Sequence, residues 1–188
     1  MRKSNKEAAQ TRARIVETAA DYLRRTGIAE ASLADIMGAA GLTHGGFYKH
    51  FRSKEHLVAE ALAAAGEKTL ATMRKSVARG GVNAAIDGYL SAQHRDSATP
   101  ICPFAAFGSE LRHSGHETKA AAANALQALF ETLAEASTTP EARRNAIVSL
   151  ATMVGAMTLA RAVPDEAIAD EILESARQAL QSDPVSPI

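Results

Sequence analysis

Leu33-Ala34-Asp35-Ile36-Met37-Gly38-Ala39-Ala40-Gly41-Leu42-Thr43-His44-Gly45-Gly46-Phe47-Tyr48-Lys49-His50-Phe51 is the stretch that decides how the rest of the chain is read. Ser32 stands before it as an N-cap with Asp35 in capping-box position, which predicts a short helix with Leu33, Ile36, Met37 and Ala40 facing inward. Gly41 suits the left-handed residue that ends a helix, Leu42 plugs the core and Thr43 caps what comes next. A second short helix should follow, although Gly45 and Gly46 each cost about 1 kcal/mol against alanine there. Residues without bulk are favoured where a backbone must press closely against another surface. Phe47 and Phe51, one turn apart, anchor this segment and turn Tyr48, Lys49 and His50 outward. Two short helices joined through Gly41, the second rich in small, polar and basic residues, have the composition of a helix-turn-helix.

Working outward, a longer helix is expected before this pair, from about Glu7 to Arg25, with Ile15, Val16, Ala19, Ala20 and Leu23 as its apolar stripe and Gly27 as its stop. Asp21 and Arg25 are spaced to pair on its exposed side. After the pair, Ser53 caps a helix running through Leu57, Val58, Ala61, Leu62 and Ala65 to about Arg79, where Gly80-Gly81 ends it. No Ser/Pro linker intervenes, so a three-helix head should move as a lever on this connector. Further helices are expected at 82–95, 103–113, 116–136, 141–163 and 164–181, punctuated by Pro100, Pro140 and Pro164. The fold class is therefore all-α, with no alternating strand pattern, and a division at residues 1–52, 53–182 and a disordered tail at 183–188 is expected.

The chain has 188 residues, 46% of them hydrophobic, with no Trp and few aromatics, so its core must be built from Leu, Ile, Val, Met and Ala. A single cysteine, Cys102, forms no internal disulfide and fits a reducing compartment, and the basic, polar start lacks the apolar core of an export signal; together these lead to an expectation of cytoplasmic location. Formal charge is zero, but residues 1–60 hold ten Lys/Arg against seven Asp/Glu, which puts the positive excess at the helix-turn-helix end. The apolar run from Ala146 to Val163 approaches the length of a membrane span, yet it contains Ser149, Thr152, Thr158 and Arg161 and has no aromatic belt. It reads as a helix buried on several sides, one facing the body and another a second subunit; burial wholly inside one protomer is the alternative. Gly155 and Ala156 would permit close helix approach, and Ile168, Ile172 and Leu180 give the last helix its own stripe.

Residues 33–51, followed by Ser53-Lys54-Glu55, closely resemble the DNA-binding signature of the TetR (tetracycline repressor) family; the likeness is specific over residues 10–62 and architectural beyond. It implies about nine helices, an N-terminal DNA-binding head, a ligand-binding body, and a homodimer, joined by its two C-terminal helices, on a palindromic operator in double-stranded DNA. In such a dimer the second helix of each motif enters a major groove, the two lying about one turn of DNA apart. By the resemblance, Thr43, His44, Gly45, Gly46 and Tyr48 face the groove, with Ser32 and Leu33 at the start of the preceding helix. Tyr48 and His50 then touch phosphates, Lys54 meets a phosphate at the start of the next helix, and His44 and Lys49 discriminate bases. The plainer readings are that Tyr48 and His50 pack and cap within a small bundle and that Lys54 is an ordinary solvated lysine.

In the body, Pro103 is a natural first helical residue, which places Cys102 at an N-cap, where a helix dipole favours a thiolate. A reactive sensor is one reading and an inert core thiol the other. Tyr89, His94, Cys102, Phe104, Phe107 and Met153 are candidates to line an effector cavity, against the plainer reading that they are core. The effector is a small molecule or electrophile whose identity is unknown. No cofactor is implied, and His113 and His116 lack an acidic or cysteine partner at ligand spacing for a metal. An enzyme using Cys102 with His94 or His113 as base lacks a visible orienting acid, so the chain reads as a regulator and not an enzyme. A helical interaction module that never touches DNA is the remaining rival.

Overall fold

The computed structural model of the protein describes residues 5–182, so the basic start at 1–4 and the tail at 183–188 lie outside the described residues. Among those described there are eight α-helices, two 3₁₀ segments and no strand. The helices are α1 (Asn5–Thr26), α2 (Leu33–Ala39), α3 (Lys54–Tyr89), α4 (Ala92–Arg95), α5 (Pro103–Phe107), α6 (His116–Glu135), α7 (Ala142–Ala162) and α8 (Glu166–Gln181). The 3₁₀ segments are His44–Lys49 and Gly108–His113. Gly80 and Gly81 leave helical geometry inside α3, so that helix is two rods meeting at the expected glycine break, which brings the number of rods to nine.

The head forms because α1 lays its stripe on α3: Ile15, Ala19, Ala20 and Leu23 are buried, joined by Ile36 and Met37 of α2, by Phe47 and Phe51, and by Leu57, Ala61 and Leu62. Ser32 caps α2 by accepting from the Asp35 amide at 3.1 Å, and Gly41 takes φ +70° in the turn, a conformation that costs a glycine nothing. Leu33 and Val16 are half-buried against this core, at the edge of the predicted stripes. Asp21 pairs with Arg24 and Lys68, and not with Arg25 as the spacing suggested, because Arg24 points into the head–body seam where its charge needs a partner.

Ser53 caps α3, which continues without a linker from head to body, and the core cluster runs unbroken along it. In the body α3 packs most extensively on α6, and α7 packs on both α6 and α8. Gly66 makes the α3–α6 approach possible: a Cβ at that position would lie 2.8 Å from the Ala125 Cβ. Helix ends differ from expectation where turn chemistry prevails over periodicity. The helix predicted at 82–95 breaks at Leu90, with Ser91 capping α4; 103–113 tightens into 3₁₀ after Phe107; and α8 begins after Pro164, because Asp165 caps the amides of Ala167 and Ile168. The last helix buries Ala169 and Leu173, with Ile172 and Leu180 half-buried, whereas Ile168 is 48% exposed and stands outside the predicted stripe.

Candidate functional site

Thr43 is in extended conformation before the 3₁₀ segment His44–Lys49, and no side-chain bond caps it. The segment expected as an α-helix is therefore tighter, as Gly45 and Gly46 lead one to expect from their low helix propensity. Its orientation is nonetheless the predicted one. The Phe47 ring is fully buried and stacks on Phe51 at 5.6 Å, while Tyr48 is 68% exposed. His44, Gly45 and Lys49 are exposed, and Gly46 and His50 half-exposed, so one outward ridge carries a phenol, a lysine and two imidazoles beside glycine backbone. His44 meets Tyr48 edge-on at 6.4 Å, and Arg12 of α1 bonds both the His50 carbonyl and Glu60, tying this segment to α1 and α3. A protruding ridge of donors with little side-chain bulk is suited to a groove lined by phosphate and base acceptors.

Ser32 and Leu33 lie at the other end of α2, the serine hydroxyl engaged with Asp35 at 2.5 Å. Lys54 is half-buried and donates its Nζ to the Ile28 carbonyl at 3.1 Å. As a phosphate contact it would have to exchange that partner; as found, it fastens the α1–α2 loop to the start of α3. The same loop is gripped from the body by Glu110, whose Oε2 accepts from the amides of Ile28 and Ala29 at 2.9 and 2.7 Å. A second seam runs through Ile101, whose carbonyl accepts from Arg24 Nη1 at 3.2 Å and from the Thr69 hydroxyl at 2.9 Å. Neither Glu110 nor Arg24 was singled out from the sequence, since an acid and a base on opposite sides of a seam carry no local signature.

In the body all six candidate effector residues are buried: Cys102 and Met153 completely, with Tyr89, His94, Phe104 and Phe107 nearly so. Cys102 does occupy the N-cap before Pro103, yet its thiol is held protonated, because burial pushes it up more than the Tyr89 hydroxyl and the amides of Ala105 and Phe104 bring it down. The tyrosine and histidine meet edge to face with ring centroids 4.6 Å apart. Burial raises the Tyr89 phenol well above its ordinary range and lowers His94. Arg161 of α7 completes the group, its charge acting on Tyr89, His94 and Cys102 while two of its nitrogens donate to the carbonyls of His94 and Arg95. Its signal was present in the sequence as a lone cation near the end of an apolar helix. Phe104, Phe107 and Met153 pack where α5 meets α7. Two clefts of about 590 and 510 Å³ lie elsewhere, at the Gly80–Gly81 break and between α3 and α6, and neither is lined by any of the six.

On α7, Ile147, Val148 and Leu159 are 40 to 59% exposed. Gly155 also faces outward with open space beyond it, while Ala156 belongs to the protomer's own core. The helix is long and apolar enough to cross a membrane by length and composition, as the core helix of a soluble protein also can be.

Residues 15–61 match the family described as bacterial regulatory proteins, tetR family. The HTH-type transcriptional regulator TtgR of Pseudomonas putida is 43% identical over 58 residues, which cover 31% of this chain and 28% of that protein. AcrR of Shigella flexneri is 39% identical over 59 residues, covering 31% and 27%. The match thus spans less than a third of those relatives' length. Solved structures extend the likeness over the whole chain: Escherichia coli NemR in its reduced form at TM-score 0.79 and 18% identity, covering 95% of this chain and 98% of NemR. A TetR family regulator from Cytophaga hutchinsonii gives 0.79 at 21%, covering 98% and 100%, and one from Chloroflexus aurantiacus 0.73 at 25%, covering 94% and 97%. Residues 15–61 are thus similar to the bacterial regulatory proteins of the tetR family, and the chain as a whole shares the fold of solved TetR family regulators.

Proposed function

We propose that this chain is a cytoplasmic, dimeric transcriptional repressor whose head, residues 1–52, holds a palindromic operator until a small molecule enters the body, residues 53–182. The observation that carries the reading is the ridge at His44–Lys49, where Phe47 is locked inside and Tyr48, His44 and Lys49 stand outside. In the bound state Thr43, His44, Gly45, Gly46 and Tyr48 face the major groove, Tyr48 and His50 approach phosphates, and His44 and Lys49 read bases. Ser32 and Leu33 lie against the flanking backbone, and Lys54 joins them on exchanging its internal partner. Two copies meet through the exposed apolar side of α7 together with α8, which a monomer would leave to water.

Release follows from the seams. The head is fixed to the body through Glu110 and through Arg24 at Ile101, so a shift of the body segment around residues 101–110 is delivered to α1 and the α1–α2 loop. Effector and operator then weaken each other's binding by the same factor. The test is selection of bound fragments from genomic DNA by the full chain, followed by titration of the selected operator. Tyr48→Ala should weaken all DNA sequences together, by about tenfold for one lost phosphate contact of about 1.4 kcal/mol. Unchanged operator affinity and unchanged salt dependence in Tyr48→Ala would overturn the placement of this ridge in the groove.

A further inference from the structure

Three of the four buried side-chain nitrogen and oxygen atoms that no nitrogen or oxygen satisfies among the described residues lie in one neighbourhood: Tyr89 Oη, which meets only the Cys102 thiol, His94 Nε2 and Arg161 Nη1. Buried polar groups are ordinarily paired, and three under-satisfied ones together mark a place where something polar is accepted. Their chemistry says what. His94 Nδ1 lies 2.8 Å from the Tyr89 carbonyl, which can only accept, so the ring proton sits on Nδ1 and Nε2 presents a lone pair. Arg161 Nη1 presents N–H, and the Tyr89 hydroxyl can donate. Among the described residues no carboxylate forms an ion pair with this arginine: Asp96 acts on it only through its charge and is bonded to Arg95, which also holds Asp170. A ligand that satisfies all three must accept from Arg161 and Tyr89, donate to His94, and bring a negative charge in exchange for water.

We propose that the buried edge shared by Tyr89, His94 and Arg161, beside Cys102, binds the acid group of a small carboxylic acid, taken up from solution as the carboxylate together with one proton. One oxygen accepts from Arg161 Nη1 and the Tyr89 hydroxyl, and the proton lies between the other oxygen and His94 Nε2. Arg161 also lines a surface cleft of about 230 Å³ in which the apolar Val163 and Pro164 stand beside the charged Arg95, Asp96 and Glu166, and the ligand would enter from that side. This inference rests on the reading of the body as the effector domain and supplies the chemical class of the effector.

Titration calorimetry of the full chain with sodium benzoate, in two buffers of different ionisation heat, tests it. The expected result is binding with uptake of about one proton, weakening by about tenfold per pH unit above neutrality. Of the ionisable groups around the site (Tyr89, His94, Cys102, Arg161, the Arg95–Asp96 pair, and Glu166 and Asp170 of α8), His94 alone has an ordinary value near neutrality. Methyl benzoate keeps the ring and carbonyl but lacks the acid, and should bind at least tenfold more weakly, as benzoate itself should to Tyr89→Phe, on the scale of a lost hydrogen bond to a charged group of about 1.5 kcal/mol or more. That variant removes only an oxygen that meets the Cys102 thiol and keeps the ring in place; Arg161→Gln should abolish binding. Benzoate and its ester binding alike, or benzoate failing to bind wild-type protein, overturns the site, the under-satisfied atoms then being served by water alone. Benzoate bound with operator affinity unchanged upholds the site while removing effector release. Operator released by another compound with benzoate silent does the reverse.

Discussion

Replacing Tyr89 with phenylalanine should make the unliganded protein more stable, an unusual direction for a change at a buried aromatic position. The residue is 7% exposed and, among the described residues, its hydroxyl meets only the Cys102 thiol, a weak partner, so the folded state carries a poorly compensated polar group that the unfolded chain hydrates. Mutational data put such a penalty at about 1–3 kcal/mol. Against it stands the void left by one oxygen, on the order of 10–15 Å³, costing roughly 0.3 kcal/mol at about 24 cal/mol per Å³. The edge-to-face contact with His94 at 4.6 Å is a property of the ring and is kept. The net expectation is a gain of about 1 kcal/mol, a rise in Tm of roughly 2–4 °C for a chain of this size. Urea unfolding and scanning calorimetry at matched protein concentration provide the measurement, since the stability of the proposed dimer would depend on concentration. There is a second signature in alkali. Burial raises the Tyr89 phenol, so its contribution is intact below the unfolded value of about 10 and is lost as pH climbs toward the folded one; the variant lacks that loss and its advantage should widen above pH 10. A loss of about 1 kcal/mol or more on substitution would show that the hydroxyl is well satisfied in the folded state, and the argument for an under-satisfied cluster would fall.

His94 carries the opposite sign. Burial lowers it, so its contribution is complete above the unfolded value of about 6.5 and is lost as pH falls; the urea midpoint of the wild-type protein should drop between pH 7.5 and 5, and less so in His94→Gln. At the α3–α6 contact, Gly66→Ala puts a methyl 2.8 Å from Ala125 Cβ. Overpacking of about 1–3 kcal/mol outweighs the helix-propensity gain of about 1 kcal/mol, so denaturant unfolding should show a net loss of roughly 1 kcal/mol. Adding Ala125→Gly should cost less than the sum of the two single changes, and simple additivity would show that the helices part freely.

The head was legible because its determinants are local. Ser32, Gly41 and Ser53 act within three or four residues of themselves, and the burial of Phe47 and Phe51 fixes the direction of Tyr48 without reference to any distant part of the chain. Helix ends in the body were read less well for a related reason. Ser91 and Asp165 cap local amides with their side chains, and such capping overrides an apolar pattern that continues through it. The pairing of Asp21 went to Arg24 and Lys68 because the third dimension offered a nearer cation, which i,i+4 spacing alone does not contain. As for the candidate effector residues, periodicity could say that Tyr89, His94, Cys102, Phe104, Phe107 and Met153 face inward but not which of them meet. It could not bring Arg161 to Tyr89 from more than seventy residues away.

That meeting gives the proposed control of the head a physical route. Ile101 and Cys102 are consecutive residues with different neighbours: the Ile101 carbonyl is held by Arg24 of the head and Thr69 of the connector, and the Cys102 side chain lies against Tyr89 within reach of the Arg161 charge. The peptide joining them therefore belongs to both the candidate effector edge and the head–body seam. Filling the edge draws Tyr89 and Arg161 toward a new acceptor, and any displacement of Cys102 larger than a few tenths of an ångström strains a 3.2 Å bond from a buried arginine, which has Asp21 as its other partner. A charged group in that position loses about 1.5–3 kcal/mol when its bond breaks, comparable to the coupling of about 1–3 kcal/mol typical between effector and ligand sites. Arg24→Lys should thus leave operator binding by the unliganded protein nearly intact and reduce the factor by which effector weakens it, because lysine keeps the charge near Asp21 without the guanidinium fork that spans both partners. An unaltered factor in a gel-shift titration of that variant would place the coupling elsewhere, with Glu110 and the α1–α2 loop as the remaining seam.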